Sequence, residues 1–550
     1  MDVDRMKNLL LDLCSVPSIS ETAGEIEMAE KLYEVITEMD YFKNSPDNAG
    51  IDPMKNDFMG RYYVHALMEG RQKSKKTVIL LSHFDVVSAE DYGAYKDYAF
   101  KPLEYTELLK KGRGISLSKE AESDLASGDY IFGRGTMDMK FGIALDVEIM
   151  HQIENKLDNF PGNILFLSVP DEENNSAGML ASVEILTRLK EEKGLEYICC
   201  IVSEPHFPKY PGDSSNYIYT GVVGKLLPVF YCVGKETHAG DPFSGLNPNL
   251  LTAKIIEKIE LNPELSDASA SFRSPAPVCL KQSDTKNSYS VSTPAAAYAY
   301  FNFITVSSSP DEVLNKLKSI SEKAFIEVLH DIEDKADRLQ ALAGIKPKLP
   351  SIKPMVITFQ ELYKMCLEAG GKEFDEHMKS FVKVSPGNDL RELSVDIVKE
   401  AHKFCPYRDP MIVLFLAPPY YPHSGESSNN DIITEITEKV IKKAESEYGE
   451  HLSHEPFFPG LGDMSYLGLP ENIDVESLKM NLPLWGDKYT VPLDAIASLN
   501  IPFINIGPLG KDAHKYTERL CISYSFSKAS KLIFEAVLTA LGVKPEDFGL

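Results

Sequence analysis

TVILLSHFDVV, residues 77–87, opens with a short apolar run and closes on a histidine and an aspartate. Val78–Leu81 are long enough and apolar enough for a strand buried on both faces, as in a parallel sheet. His83 and Asp85 follow at i and i+2, which share one side of an extended chain. The carboxylate is thus placed to hold the second imidazole nitrogen and fix the tautomer that ligates a metal. Taken alone, His83 reads as a satisfied core or surface residue more readily than as a ligand. What separates the two readings is recurrence.

The same construction returns along the chain. ILFLSVPDEE (164–173) carries Glu172 and Glu173 past a strand-like run, YICCIVSEP (197–205) carries Glu204, and FINIGPLGKDAHKYTERL (503–520) carries His514. In GRGTMDMKFG (133–142), Asp138 stands between a glycine turn and a helix, where capping is the alternative role. Three consecutive acids at 171–173 also suit a solvated turn. Adjacent side chains diverge, however, so one glutamate can bind metal while its neighbour faces a water. Acidic and histidine residues at several strand ends provide the ligands of a two-metal hydrolase, with two left over for a general base and an orienting partner.

Composition bounds the alternatives. At 550 residues the chain exceeds one ordinary core, so two or more domains are expected. A content of 43% hydrophobic and 10% aromatic residues is globular, and the formal charge of −25 argues against nucleic acid or an anionic membrane as partner. No run of 18 apolar residues suggests a membrane span. The opening MDVDRMKNLLLDLCSVPSIS lacks the basic start of a secretory signal, and Met6, Leu9, Leu10 and Leu13 are spaced like one helix face. The eight cysteines form no CxxC, and Cys199 and Cys200 lie inside an apolar run, so buried free thiols and a cytoplasmic location are expected.

Up to about residue 215, strands at Val78–Leu81, Ile164–Val169 and Ile198–Val202 alternate with helical patterns such as Gly142–Ile153. This predicts an α/β domain with a mostly parallel sheet, which binds ligands beyond the carboxyl ends of its strands. Strand features at Gly221–Val233, a helix at Asn247–Ile259, strands around Val291 and Tyr298–Phe303, and a helix at Pro310–Leu329 then read as an α+β insertion. Pro347, Pro350 and Pro354 suggest a linker, followed by a strand at Met355–Phe359 and a helix from Gln360. Helix Asp389–Phe404, strand Met411–Leu416, a loop at Ala417–Asn430, helix Asp431–Tyr448, strand Pro502–Ile506 and helix Phe526–Leu541 read as the α/β pattern resumed. The expected domains are therefore 1–218 with 381–550, and an inserted 219–380 whose end falls between 330 and 380.

Taken in order, Ser82-His83-Phe84-Asp85, Gly133-Arg134-Gly135-Thr136-Met137-Asp138-Met139-Lys140, Asp171-Glu172-Glu173, Ser203-Glu204-Pro205 and Ala513-His514 resemble the M20 metallopeptidases and deacylases. The length, the segment Tyr219 to Gly224 and the run Gly507 to His514 look most like the arginine-utilisation, RocB-type branch. The resemblance implies that Asp138 bridges two metals, with His83 and Glu204 completing one site and Glu173 and His514 the other. It implies that Asp85 orients His83, that Glu172 is the general base, and that a cis peptide follows Asp138. His238, in Lys235 to Gly240, matches a histidine that aids the oxyanion, in cis or from a partner subunit; a loop histidine without that part is the alternative. Two divalent ions are implied. Zinc suits the ligands, and cobalt or manganese also fits.

The expected activity is hydrolysis of an amide bond, in a peptide or an N-acyl amino acid, by a water shared between the two metals. A role in arginine or other amino-acid catabolism follows from the resemblance. Arg273, Asn287 and Lys511 offer donors for a substrate carboxylate, with a solvated surface role as the alternative. The insertion would serve as lid and as the surface of a homodimer, with the stretch after 330 able to block that pairing. Two rivals stand beside this reading. One is a non-catalytic binding or regulatory protein of the same fold; the other is a hydrolase of an ester or phosphoester, for which no phosphate-binding loop is present.

Overall fold

The structure, a computed structural model, describes all residues except 72–73, 113, 207–212, 214, 388, 425–429, 471–472, 474 and 549–550. Two compact units form. One comprises Met1–Val222, Ser424–Leu469 and Asp494–Leu550; the other comprises Val223–His423 and Pro470–Leu493. Each is described in turn.

The first unit is built on an eight-stranded sheet. Its middle consists of Asn163–Val169, Lys76–His83, Glu196–Val202 and Phe503–Ile506, paired parallel in that order. All of Asn163–Val169 is buried, as is Lys76–His83 beyond its first residue, which is why these strands read as unbroken apolar runs. Antiparallel strands Ala49–Pro53 and Tyr62–Glu69 extend one side, and Asn216–Tyr219 with Leu452–Glu455 the other. Parallel alignment brings the carboxyl ends of the central strands to one edge, about 4.8 Å apart from strand to strand.

Helix Lys140–Glu154, nearly all of it buried, packs with Val3–Cys14 and joins the main core. Lys140 is wholly buried, and its ammonium donates to the carbonyls of Leu13, in the last turn of that first helix, and Val16, just past its end. A separate three-stranded sheet places Arg519–Cys521 between Gly510–Lys511 and Tyr130–Phe132. All eight cysteines are free thiols. No described helix is long and apolar enough to cross a membrane.

The second unit carries a sheet of Val278–Asp284, Ala296–Thr305, Pro228–Val233, Met411–Leu416 and Val356–Thr358, with Gly224–Leu226 also paired to Ala296–Thr305. Here the expected boundary moves. Helix Leu390–His402 and strand Met411–Leu416 belong to this unit rather than to the α/β domain, because Met411–Leu416 pairs antiparallel with Pro228–Val233 and parallel with Val356–Thr358. A six-residue apolar strand looks the same in either sheet, so its periodicity carries no address. Residues Pro470–Leu493 also join this unit, through contacts such as the Gln360 N–H donated to Asn481 Oδ1 at 3.1 Å.

The helix expected at Pro310–Leu329 runs on to Ala343, and the strand and helix expected after the prolines are Val356–Thr358 and Phe359–Val384, the latter broken into two helical stretches at Gly371 (φ 58). Of the loop expected at Ala417–Asn430, residues 425–429 lie outside the described residues.

Entry to helix Pro310–Ala343 is fixed by Asp267. One of its oxygens accepts the N–H groups of Val306, Ser307 and Ser308 at 2.8, 2.9 and 2.8 Å, and the other accepts the two serine hydroxyls. Burial works against this charge, but the backbone donors prevail and hold the carboxyl near 2, below its ordinary 3.8. A depressed carboxylate contributes stability that is present above the unfolded value and lost as pH falls through the folded one. Asp267→Ala is accordingly expected to cost about 1–2 kcal/mol at neutral pH, the scale of a lost helix-entry cap. In denaturant titrations the gap from the unmodified protein should close between pH 4 and 2.

Candidate metal centre

The carboxyl edge of the central sheet gathers the acidic and histidine residues named above. His83 is the last residue of its strand and is 1% exposed. Its Nε2 lies 3.2 Å from Glu204 Oε1, 3.3 Å from Asp138 Oδ1 and 3.9 Å from Glu172 Oε2. His514 Nε2 lies 3.2 Å from Asp138 Oδ2 and 3.0 Å from Glu173 Oε2. The two oxygens of Asp138 therefore face two different imidazoles. Ligand atoms of His83, Asp138 and Glu173 all fall within 4.8 Å of one another. The peptide after Asp138 is cis, as the motif implied.

Asp85 acts more widely than the sequence suggested. The nearer partner of His83 Nδ1 is the backbone carbonyl of Asp85, at 3.1 Å, with the carboxylate at 3.5 Å. That carboxylate accepts the N–H groups of Glu172 and Glu173 at 3.1 and 3.2 Å and the Ser20 hydroxyl at 2.7 Å. One buried side chain thus joins the His83 strand end to the loop bearing both glutamates.

Burial makes charge costly throughout the site. It raises Glu172 well above the usual range, which His83 offsets in part and Glu204, Glu173 and Asp463 reinforce. Burial and then Asp138 raise Glu173 to about 7, against the pull of His514. Burial opposes the charge of His514, yet Asp138 and Glu173 push it up to about 11. Asp138, despite burial, is held below the usual range by His514 and His83.

Four carboxylates here meet two imidazoles, and among the described residues no lysine or arginine pairs with Asp138, Glu172, Glu173 or Glu204. Glu173 Oε1 is buried with no hydrogen-bond partner. An excess of buried oxygen donors with an orphaned ligand atom fits divalent cations.

The remaining expected residues lie elsewhere. His238 is exposed in the second unit, where its Nδ1 accepts the Gly240 N–H at 3.0 Å. Asn287 and Arg273 are exposed in that unit too. Lys511, in the first unit, is committed to Glu120 and Asp124 at 2.9 and 3.0 Å, so its ammonium is already paired.

Two features escaped the sequence reading. Asp463 is buried beside His83 and Glu204 in a small cavity also lined by Met139 and Val202, and at Gly462 a Cβ would stand 3.3 Å from Glu172 Oε1. The only trace of this in the sequence is an acid set among the glycines of PGLGD. The second feature is Arg61, buried against Glu25, Asp57 and Asp171 at 3.1, 2.9 and 2.8 Å. Asp171 has φ 69, and its carboxylate also accepts the Ala177 N–H, so Arg61 secures a strained turn next to Glu172. Removing one member of a buried charge cluster costs roughly 3–5 kcal/mol. Arg61→Met should show a loss of that order in thermal or denaturant unfolding, and a change within about 0.5 kcal/mol, as at a surface site, would contradict the assigned role.

Residues 79–476 match peptidase family M20/M25/M40. The chain is 37% identical to YqjN of Bacillus subtilis (strain 168) over 531 residues, covering 96% of this chain and 95% of that one. It is 33% identical to RocB of the same organism over 542 residues, covering 98% and 95%, which supports the RocB-type branch. Among solved structures, an M20 family metallo-carboxypeptidase from Sulfolobus solfataricus, Sso-CP2, superposes with a TM-score of 0.53 at 15% identity, covering 99% of this chain and 100% of that one, a likeness of fold. Ordered motifs, fold and a match over most of the length agree, and the chain belongs to peptidase family M20/M25/M40 as an M20-type metallohydrolase.

Proposed function

We propose that this protein hydrolyses an amide bond next to a small amino-acid-like unit, in a peptide or an N-acyl amino acid, with two divalent ions as cofactors. The observation that carries this reading is Asp138, each of whose oxygens faces a different imidazole. His83, Glu204 and Asp138 would hold one ion; Glu173, His514 and Asp138 would hold the other. Mixed imidazole and carboxylate donors suit zinc, with cobalt or manganese as substitutes. When bound, such ions supply Lewis acidity that makes water a nucleophile near neutral pH and polarises the scissile carbonyl.

Glu172 is the general base: it takes the proton of the attacking water and returns it to the departing amine. Its backbone is pinned by Asp85, and Gly462 leaves room for its carboxylate. Asp85 keeps Nε2 of His83 as the ligating nitrogen by occupying Nδ1. By the family resemblance His238 is the oxyanion donor, in cis or from a partner subunit. The setting is cytoplasmic amino-acid catabolism, arginine included. The outer strand Val278–Asp284, with Val278 and Leu280 exposed, is the edge suited to a homodimer.

Metal analysis of the purified protein, combined with a panel of dipeptides and N-acyl amino acids, tests this. Two ions per chain and amide cleavage abolished by chelation are expected. Glu172→Gln should lower turnover by about 10²–10⁴ while both ions remain bound. Unchanged turnover in that variant, or no metal after reconstitution, would sink the mechanism.

A further inference from the structure

The two imidazoles are held in unlike ways. His83 is 1% exposed and ends a buried strand, whereas the side chain of His514 is 50% exposed. Packing does not fix His514, so its loop must. That loop is strained: Asp512 and His514, two positions apart, both have left-handed backbones, with φ 59 and 66. Something has to hold it there.

The central strand of the three-stranded sheet, Arg519–Cys521, has the strand leading to Asp138 on one side and the strand leading to His514 on the other. At its entry stand Glu518 and Arg519, adjacent in sequence, so their side chains diverge. Both are buried.

Glu518 turns toward the Asp138 loop. Its carboxylate accepts from Arg134 at 2.7 Å and from the Met137 N–H at 3.5 Å, and its carbonyl accepts the Gly133 N–H at 3.0 Å. Arg134 is fixed in turn by Asp91 at 3.0 Å. Arg519 turns toward the His514 loop. It donates to Asp512 at 2.5 Å, to the Thr517 carbonyl at 3.0 Å and to Asp124 at 2.8 Å, with its guanidinium over the Phe132 ring. Asp512 also accepts from the Thr517 hydroxyl at 2.9 Å and from Lys515 at 3.0 Å.

We propose that Glu518 and Arg519 form a two-sided clamp that sets the placement of His514 relative to Asp138, and so preorganises the metal position shared by Glu173 and His514. The inference rests on the two-ion reading above. Neither residue touches the reacting atoms; both are positioning residues. The sidedness makes the clamp specific. The Arg519 arm governs His514 alone, and therefore one ion. The Glu518 arm governs Asp138, which faces both imidazoles, and therefore both ions.

The test is a titration of metal-free full-length protein with Zn²⁺, by calorimetry and chelator competition, for the unmodified chain and for Asp512→Asn, Glu518→Gln and His514→Ala. Asparagine tolerates the left-handed backbone at 512, so that variant removes the charge and keeps the turn. Asp512→Asn is expected to weaken by about 10–100-fold only the ion that His514→Ala also loses, with the metal-free protein still unfolding in one cooperative transition. Glu518→Gln is expected to weaken both. Arg519→Lys, which keeps the charge but not the planar fork, serves as the second variant should either of the others misfold, and it should lose affinity for the same single ion. Two ions held at unchanged affinity in Asp512→Asn, or both weakened equally there, would overturn the clamp. Fewer than two ions on the unmodified protein would instead overturn the two-ion reading beneath it.

Discussion

Like charges packed within a few ångströms in a poorly solvated place repel strongly, and this molecule packs four carboxylates around two imidazoles at one sheet edge. Much of the first unit can be understood as the means of holding them there. Parallel strands deliver His83, the Glu172–Glu173 pair and Glu204 to a common edge although the three places are far apart in sequence. Asp85 then spends its oxygens on the backbone of Glu172 and Glu173 rather than on the imidazole alone, which ties two strand ends into one rigid piece. The buried arginines nearby are paired: Arg61 with three acids, Arg134 with Glu518 and Asp91. The site itself is not, and that contrast is what a divalent cation requires.

The supports are local to the strands they serve. Arg61 secures the turn at Asp171, where the backbone is left-handed and the next two residues are Glu172 and Glu173. The buried ammonium of Lys140 binds the carbonyls of Leu13 and Val16, so the helix that follows Asp138 is moored to the start of the chain. Ser18 and Ser20, a few residues further on, bond to the Phe84 carbonyl and the Asp85 carboxylate, which moors the same region to the strand bearing His83. The second unit has a logic of its own: a long helix, a second helical segment broken at Gly371 and a sheet that recruits a strand from beyond residue 400, with Asp267 holding the backbone that enters the long helix.

A large part of this was legible in the chain. Strands such as Ile164–Val169 are apolar throughout because both faces are covered, and that is visible without a structure. The residues ending them could be named because ligands to one site must lie where parallel strands end. Other parts were out of reach. Met411–Leu416 is as apolar as any α/β strand yet belongs to the other sheet, since pairing partners are not encoded in periodicity. Lys511 carries a plausible donor, but its acidic neighbours come from residues 120 and 124, nearly four hundred positions away. Asp463 and Arg61 were silent because a buried charge announces itself only through what surrounds it.

The sequence by itself determined the order of strands and helices, the acidic and histidine residues at the strand ends and the family motif, because hydrophobic period and residue chemistry are local properties. Tertiary structure alone decided that the two oxygens of Asp138 face different imidazoles, that Asp85 serves the glutamates as well as the histidine, and that Glu518 and Arg519 reach to opposite loops. Those facts depend on contacts between segments from seven to several hundred residues apart, which only the packing of the chain in space can fix.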